Sequence, residues 1–154
     1  MESTQSPNPA VVRIVWVALL AAPIVYMAVP TPGVATRPPG MVVFALAGLA
    51  LAEAIGVLLC FRIAGVARVQ RGEIDPDSPE GMARLFKVLV VCWTLAESIA
   101  IYGLALRFLG AGFSTAAPFT LGALAAMIGT HPFQAGLRRP LTPRAPGRDP
   151  TPIA

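Results

Sequence analysis

The sequence predicts an all-α integral membrane protein: a four-helix bundle with its N- and C-termini in the cytoplasm. Three observations lead there. Of 154 residues, 55% are hydrophobic and only 13% charged, with a mean hydropathy of +0.68, a composition foreign to soluble domains. The apolar residues fall into four runs, roughly 11–29, 41–65, 83–109 and 114–133. Each run is about 19–27 residues, enough to cross a hydrocarbon core about 30 Å thick at ~1.5 Å per residue. The basic residues are also unevenly placed. With the N-terminus inside, Arg13, Arg62, Arg68, Arg71, Arg84, Lys87, Arg138, Arg139, Arg144 and Arg148 share one side, leaving only Arg37 and Arg107 on the other. That split is the positive-inside pattern. The chain is expected in the cell's inner (plasma) membrane, and anionic headgroups explain the pI of 9.8 with no nucleic acid required.

At this length there is room for one domain. Residues 1–10 are polar and contain Pro7 and Pro9, so they are expected to be disordered. Residues 11–133 make the transmembrane domain. Its first helix runs from about Val11 to Val29, with Pro23 as a tolerated kink. It is expected to stay as a membrane helix: Glu2 and the absence of an early Lys or Arg do not suit a cleaved signal. The connection Pro30–Gly40 is dense in Pro and Gly and reads as an extended loop. The second helix starts near Met41 and runs to about Val69. A solvated loop, Gln70–Ser78, follows.

Asp77 or Ser78 then offers an N-cap, Pro79 a first helical residue and Glu80 an acid in the first turn. The third helix is thus expected to start near Pro79, enter the bilayer around Leu85 and leave near Arg107. Leu109-Gly110-Ala111-Gly112 is a tight turn. The fourth helix carries Pro118 in about its first turn and ends near His131-Pro132. Residues 134–154 are rich in Pro and Arg and are expected to be a disordered tail lying along the membrane.

Two near-repeats mark the centre of this domain. Leu51-Ala52-Glu53-Ala54-Ile55 and Leu95-Ala96-Glu97-Ser98-Ile99 each carry a glutamate within an apolar run. A charge at membrane depth costs roughly 2.5–3.5 kcal/mol on insertion scales, so such a residue signals a need for it. Each glutamate lies about twelve residues, or ~18 Å, from the cytoplasmic edge of its helix, close to the midplane. The short loop between helices 2 and 3 makes them antiparallel neighbours, so the two carboxyls are expected to face each other at one level. Gly48, Ala52 and Gly56 form a small-xxx-small stripe on helix 2, with a weaker one at Cys92, Ala96 and Ala100 on helix 3. These are expected to pack the helices closely. Thr94, Ser98 and Tyr102 are expected hydrogen-bond donors beside Glu97. In low dielectric, two adjacent carboxyls resist joint ionisation, and the pair is expected to hold at least one proton at neutral pH.

The run Leu95-Ala96-Glu97-Ser98-Ile99-Ala100-Ile101-Tyr102-Gly103-Leu104, with Pro79-Glu80 upstream, resembles the carboxylate-bearing helix of rotary ATPase c-subunits, the membrane proteolipids. The resemblance covers about 30 residues, near 79–109, and implies that Glu97 takes up and releases a proton or sodium ion. The chain departs from that family in having only Gly48 and Gly56 at membrane depth on helix 2, a second carboxylate at Glu53, and two further helices and a basic tail.

Enzymatic chemistry finds no footing. His131 stands alone, and no metal-ligand spacing, Ser/His/Asp set or phosphate-cradling glycine loop is present. Neither a cofactor nor a metal is expected. Cys60 and Cys92 read as small buried hydrophobes, and Trp16, Tyr26, Trp93 and Tyr102 as packing or interface anchors. Two functional readings follow. In the first, the protein is a non-catalytic structural or interaction component, packing with copies of itself or within a larger membrane complex, and its protonated glutamates staple helices together. In the alternative, Glu97, with Glu53, handles protons or cations.

Overall fold

The structure, a computed structural model, describes residues 8–30 and 38–132. Within them the chain is helical, with no strand. Helix α1 spans Pro9–Ala28, α2 Gly40–Gln70, α3 Pro79–Phe108 and α4 Phe113–Gly129. Of these, α1, α2 and α3 are long and apolar enough to cross a membrane, while α4 is shorter. Large apolar side chains cover the outside: Met41 is 80% exposed, Phe44 79% and Ile14 67%. A surface of that kind suits lipid rather than water. The expected disordered tail and most of the expected disordered N-terminus lie outside the described residues.

Capping chemistry sets the starts of α1 and α3. The Asn8 side chain accepts from the Ala10 N–H ahead of Pro9, so α1 begins two residues before the apolar run and takes in part of the segment expected to be disordered. Ser78 Oγ accepts from the Gly81 N–H at 3.1 Å, and Pro79 is the first residue of α3. Gly110, at φ +88°, supplies the left-handed residue of the α3–α4 turn. At the far end α4 stops at Gly129, about a turn earlier than the apolar run suggested. Pro132 disfavours helical backbone at His131 and has no N–H to give. Thr130 closes the end, its Oγ1 donating to the Ala126 carbonyl at 2.9 Å.

Helix α2 contains one departure from α-geometry, a π-helical stretch at Phe61–Val66. Val57, Phe61, Gly65 and Val69 are all buried, a row spaced four residues apart. In a regular helix of 3.6 residues per turn that row drifts around the axis; the wider π turn keeps it against α3.

Helix α3 is the central element, and it packs against α1, α2 and α4. Its tightest approach is to α4, where a Cβ added at Gly103 would sit 3.0 Å from the Ala116 carbonyl oxygen. The core forms two clusters along α3. One joins Leu85, Leu89, Cys92, Trp93 and Ala96 to Val12, Val57, Phe61 and Met127. The other joins Ile99, Ala100 and Leu106 to Ala50, Phe119 and Ala123. Glu97 and Ser98 fall at the junction between them.

The small-residue stripes behave differently from expectation. Cys92, Ala96 and Ala100 on α3 are each 0% exposed, so the weaker stripe is the one that packs. Gly48 and Ala52 on α2 are exposed, and nothing lies within 4 Å of a Cβ built on Gly48 or Gly56. The reason is angular. At ~100° per residue, Ala52 is about 160° around the helix from the Ala50–Val57–Phe61 row that faces the bundle.

Candidate functional site

Among the described residues, the side-chain-to-side-chain hydrogen bonds that join one helix to another all end on Glu53 or Glu97. Glu53 projects from the same side of α2 as Ala50 and Val57 and is half-buried. Its Oε1 accepts from Tyr102 Oη at 2.6 Å, and its Oε2 lies 2.5 Å from Ser98 Oγ. Both partners belong to α3. Glu97, also half-buried, turns the other way: its Oε1 accepts from Tyr26 Oη of α1 at 2.6 Å. Together these contacts tie α2 to α3 and α3 to α1.

The two carboxyls therefore do not pair as expected; no hydrogen bond joins them among the described residues. Helical geometry explains this. Ser98 lies about 100° around α3 from Glu97 and Tyr102 about 140°, so one edge of α3 serves α1 and the other serves α2. Ser98 and Tyr102 are hydrogen-bonding residues as expected, but to Glu53 rather than Glu97. Thr94 is exposed, and its Oγ1 donates to the Val90 carbonyl of its own helix at 2.9 Å. A β-hydroxyl facing lipid has no better acceptor than the preceding turn.

Tyr26, expected to be a packing or interface anchor, is the partner the sequence concealed. Its carbonyl meets the guanidinium of Arg107, which donates to the Tyr26 carbonyl at 3.3 Å and the Met27 carbonyl at 2.6 Å. Side chains on a helix lean towards its N-terminus, so the Tyr26 ring reaches back to the level of Glu97. Arg107 meanwhile satisfies the last carbonyls of α1 and sets a positive charge at the negative end of its dipole. A tyrosine near the end of one helix and a carboxyl deeper in a parallel one would have been the signal to look for.

The indoles serve the other end of the bundle. Trp16 Nε1 donates to the Met127 carbonyl at 3.2 Å and Trp93 Nε1 to the Thr130 carbonyl at 3.3 Å, meeting carbonyls that the end of α4 leaves open. Cys92 is fully buried, with its thiol 3.8 Å from the Val57 carbonyl, and Cys60 is half-buried; both are free thiols. No group of three or more His, Cys, Asp or Glu suited to a metal occurs among the described residues.

Comparison of the chain with family models, with curated proteins and with solved structures finds no match in any of the three.

Proposed function

We propose that this is a non-catalytic component of the plasma membrane, a four-helix bundle whose two glutamates act as neutral ties between helices. Both termini face the cytoplasm. Arg13, Arg62, Arg68, Arg71, Arg84 and Lys87 would then lie towards the cytoplasmic side and Arg107 towards the outside, in keeping with the positive-inside rule. Its partners are the lipid bilayer and either copies of itself or a larger membrane complex.

One observation carries the reading, the set of oxygen–oxygen contacts around Glu53. Three short oxygen–oxygen contacts converge there: Tyr102 to Glu53, Ser98 to Glu53, and Ser98 Oγ to the Leu95 carbonyl at 2.7 Å. The two hydroxyls own two protons, and the Leu95 carbonyl has none. A protonated Glu53 supplies the third, donating to Ser98 while Ser98 donates to Leu95 and Tyr102 donates to the other carboxyl oxygen. A neutral carboxyl used in this way links helices at membrane depth without the cost of a buried charge.

Glutamine substitution tests the proposal, since an amide also donates and accepts. Glu53→Gln and Glu97→Gln are expected to keep the unfolding temperature of the detergent-purified protein, while Glu53→Leu and Glu97→Leu lower it. Vesicles containing the wild type are expected to leak protons and sodium no faster than empty ones. Carbodiimide labelling of Glu97 that sodium suppresses, together with an ion flux lost in Glu97→Gln, would replace this reading with the proton- or cation-handling one.

A further inference from the structure

Helices α2 and α3 run antiparallel, and their contacts fix a register. A Cβ built on Gly65 would touch Val88 at 3.8 Å, and Glu53 reaches Ser98. Five residues back along α2 from Gly65, and seven on from Glu53, is Cys60. The matching steps along α3 from Val88 and Ser98 end at Trp93 and Val91, and Cys92 lies between them. Side-chain contacts agree with that register. The Cys92 thiol donates to the Val57 carbonyl at 3.8 Å, the same carbonyl that accepts from the Phe61 N–H. Its sulfur therefore rests against the turn of α2 that bears Cys60. Cys60 packs against the core cluster that contains Cys92, and the two thiols lie within interacting distance of each other.

We propose that Cys60 and Cys92 form a redox-modification site, which closes to a disulfide between α2 and α3 when Cys60 meets a lipid hydroperoxide. The two thiols differ in access, and that difference assigns their roles. Cys92 is fully buried, whereas Cys60 is half-buried. On α2, Cys60 stands between the buried Val57 and Phe61 on one side and the exposed Leu59 and Ile63 on the other. Its sulfur can thus be reached from the lipid while it touches the core. The Cys60 sulfur attacks the terminal oxygen of the hydroperoxide; the O–O bond breaks, and the lipid alcohol leaves with the thiol proton. The Cys60 sulfenic acid so formed is then attacked by the Cys92 sulfur; the S–O bond breaks, and the hydroxyl leaves as water with the Cys92 proton. The peroxide takes both electrons that the sulfurs lose. With the bond closed, α2 is held to α3 at the residue before its π-helical stretch. The inference shares only the bilayer with the function proposed above. Neither carboxyl takes part, so its failure would leave the glutamate ties standing.

The test uses the full-length, reduced protein in phosphatidylcholine vesicles doped with phosphatidylcholine hydroperoxide. Wild type is expected to lose both maleimide-reactive thiols, counted after denaturation, and to become lighter by two hydrogens while staying a monomer. Non-reducing digestion should yield one linked peptide pair containing Cys60 and Cys92, and dithiothreitol should restore both thiols. Cys92→Ala is expected to stop at a Cys60 sulfenic acid that dimedone traps. Cys60→Ala is expected to leave Cys92 unmodified over the time in which wild type is fully converted. A dimer joined through Cys60, a wild-type product with Cys60 oxidised and Cys92 still free, or equal reactivity of Cys92 in Cys60→Ala would each overturn the site. Equal rates with the lipid hydroperoxide and with hydrogen peroxide in the water phase at the same concentration would overturn the lipid as the source of the oxidant.

Discussion

The two near-identical pentapeptides around Glu53 and Glu97 have different surroundings. In the α2 copy, Leu51 is 63% exposed and Ile55 50%, and Ala52 also faces outward. In the α3 copy, Ala96 is 0% exposed and Ile99 3%. The polar contacts differ as well. Glu53 uses both carboxyl oxygens on a single neighbouring helix, whereas Glu97 meets Tyr26 of α1 through one. In water, burial would follow from hydrophobicity; in lipid, an apolar side chain is equally at home facing a helix or facing a tail. Position in the bundle therefore decides the environment. The helix touching three others buries its motif, and the helix on the flank exposes it.

Substitution of the matching alanines should break this symmetry most strongly. Ala96→Leu forces three extra carbons into a full core and is expected to cost about 1–3 kcal/mol. Ala52→Leu should change stability by less than ~0.5 kcal/mol. Reversible unfolding in mixed micelles measures both, and equal effects would mean the two copies are equally packed. Gly103→Ala against Gly48→Ala makes the same contrast through backbone approach, with loss of about 1 kcal/mol or more expected for the first alone.

The carboxyls sharpen the comparison at a smaller scale. Removing Glu53 breaks two hydroxyl contacts and removing Glu97 breaks one. Glu53→Ala is therefore expected to cost up to ~1.7 kcal/mol and Glu97→Ala nearer ~0.6 kcal/mol, the upper and average values for hydrogen bonds between membrane helices. A double substitution separates the ties further. Because they sit on opposite edges of α3, the two losses should add, whereas a paired dyad would give a clear coupling energy.

The smallest effect lies outside the bilayer segments, in the loop joining α2 and α3. Glu73 bonds Arg71 at 2.5 Å and sits 3.7 Å from Arg68. The Arg71 hydrogen bond, helped by both positive charges, holds the Glu73 carboxyl below its ordinary range. A carboxylate depressed on folding adds stability above its unfolded pKa and loses it as pH falls through the folded value. Wild type should thus slightly exceed Glu73→Gln at pH 7, with the gap closing in acid. Both pairs are solvent-exposed, so the gap should also shrink in high salt.

The helix limits were legible in the sequence because they depend on local chemistry. Ser78 with Pro79, the positive-φ Gly110 and the lengths of the apolar runs act within a few residues of where they stand. The faces were not legible. A helix apolar on all sides carries no stripe that marks its inside, so Gly48, Ala52 and Gly56 read as a contact although Gly48 and Ala52 face outward and nothing lies within 4 Å of a Cβ built on Gly56. At the site, Glu53, Ser98 and Tyr102 were visible as polar residues at a shared depth. Tyr26 was hidden because its ring and its backbone lie at different heights. Thr94 misled because a hydroxyl can bond its own helix at no cost to its neighbours.

The order in which the partners leave the ribosome has a further consequence. Ser98 and Tyr102 follow Glu53 by 45 and 49 residues, whereas Tyr26 precedes Glu97 by 71. Glu97 thus arrives in a bilayer where its hydroxyl is already waiting. Glu53 arrives with neither of its own; as the neutral tie proposed above, it would have to hold its proton unaided or stay near the membrane surface until the third helix is made. Nascent α2 is then the precarious step of assembly, and the arrival of α3 secures it.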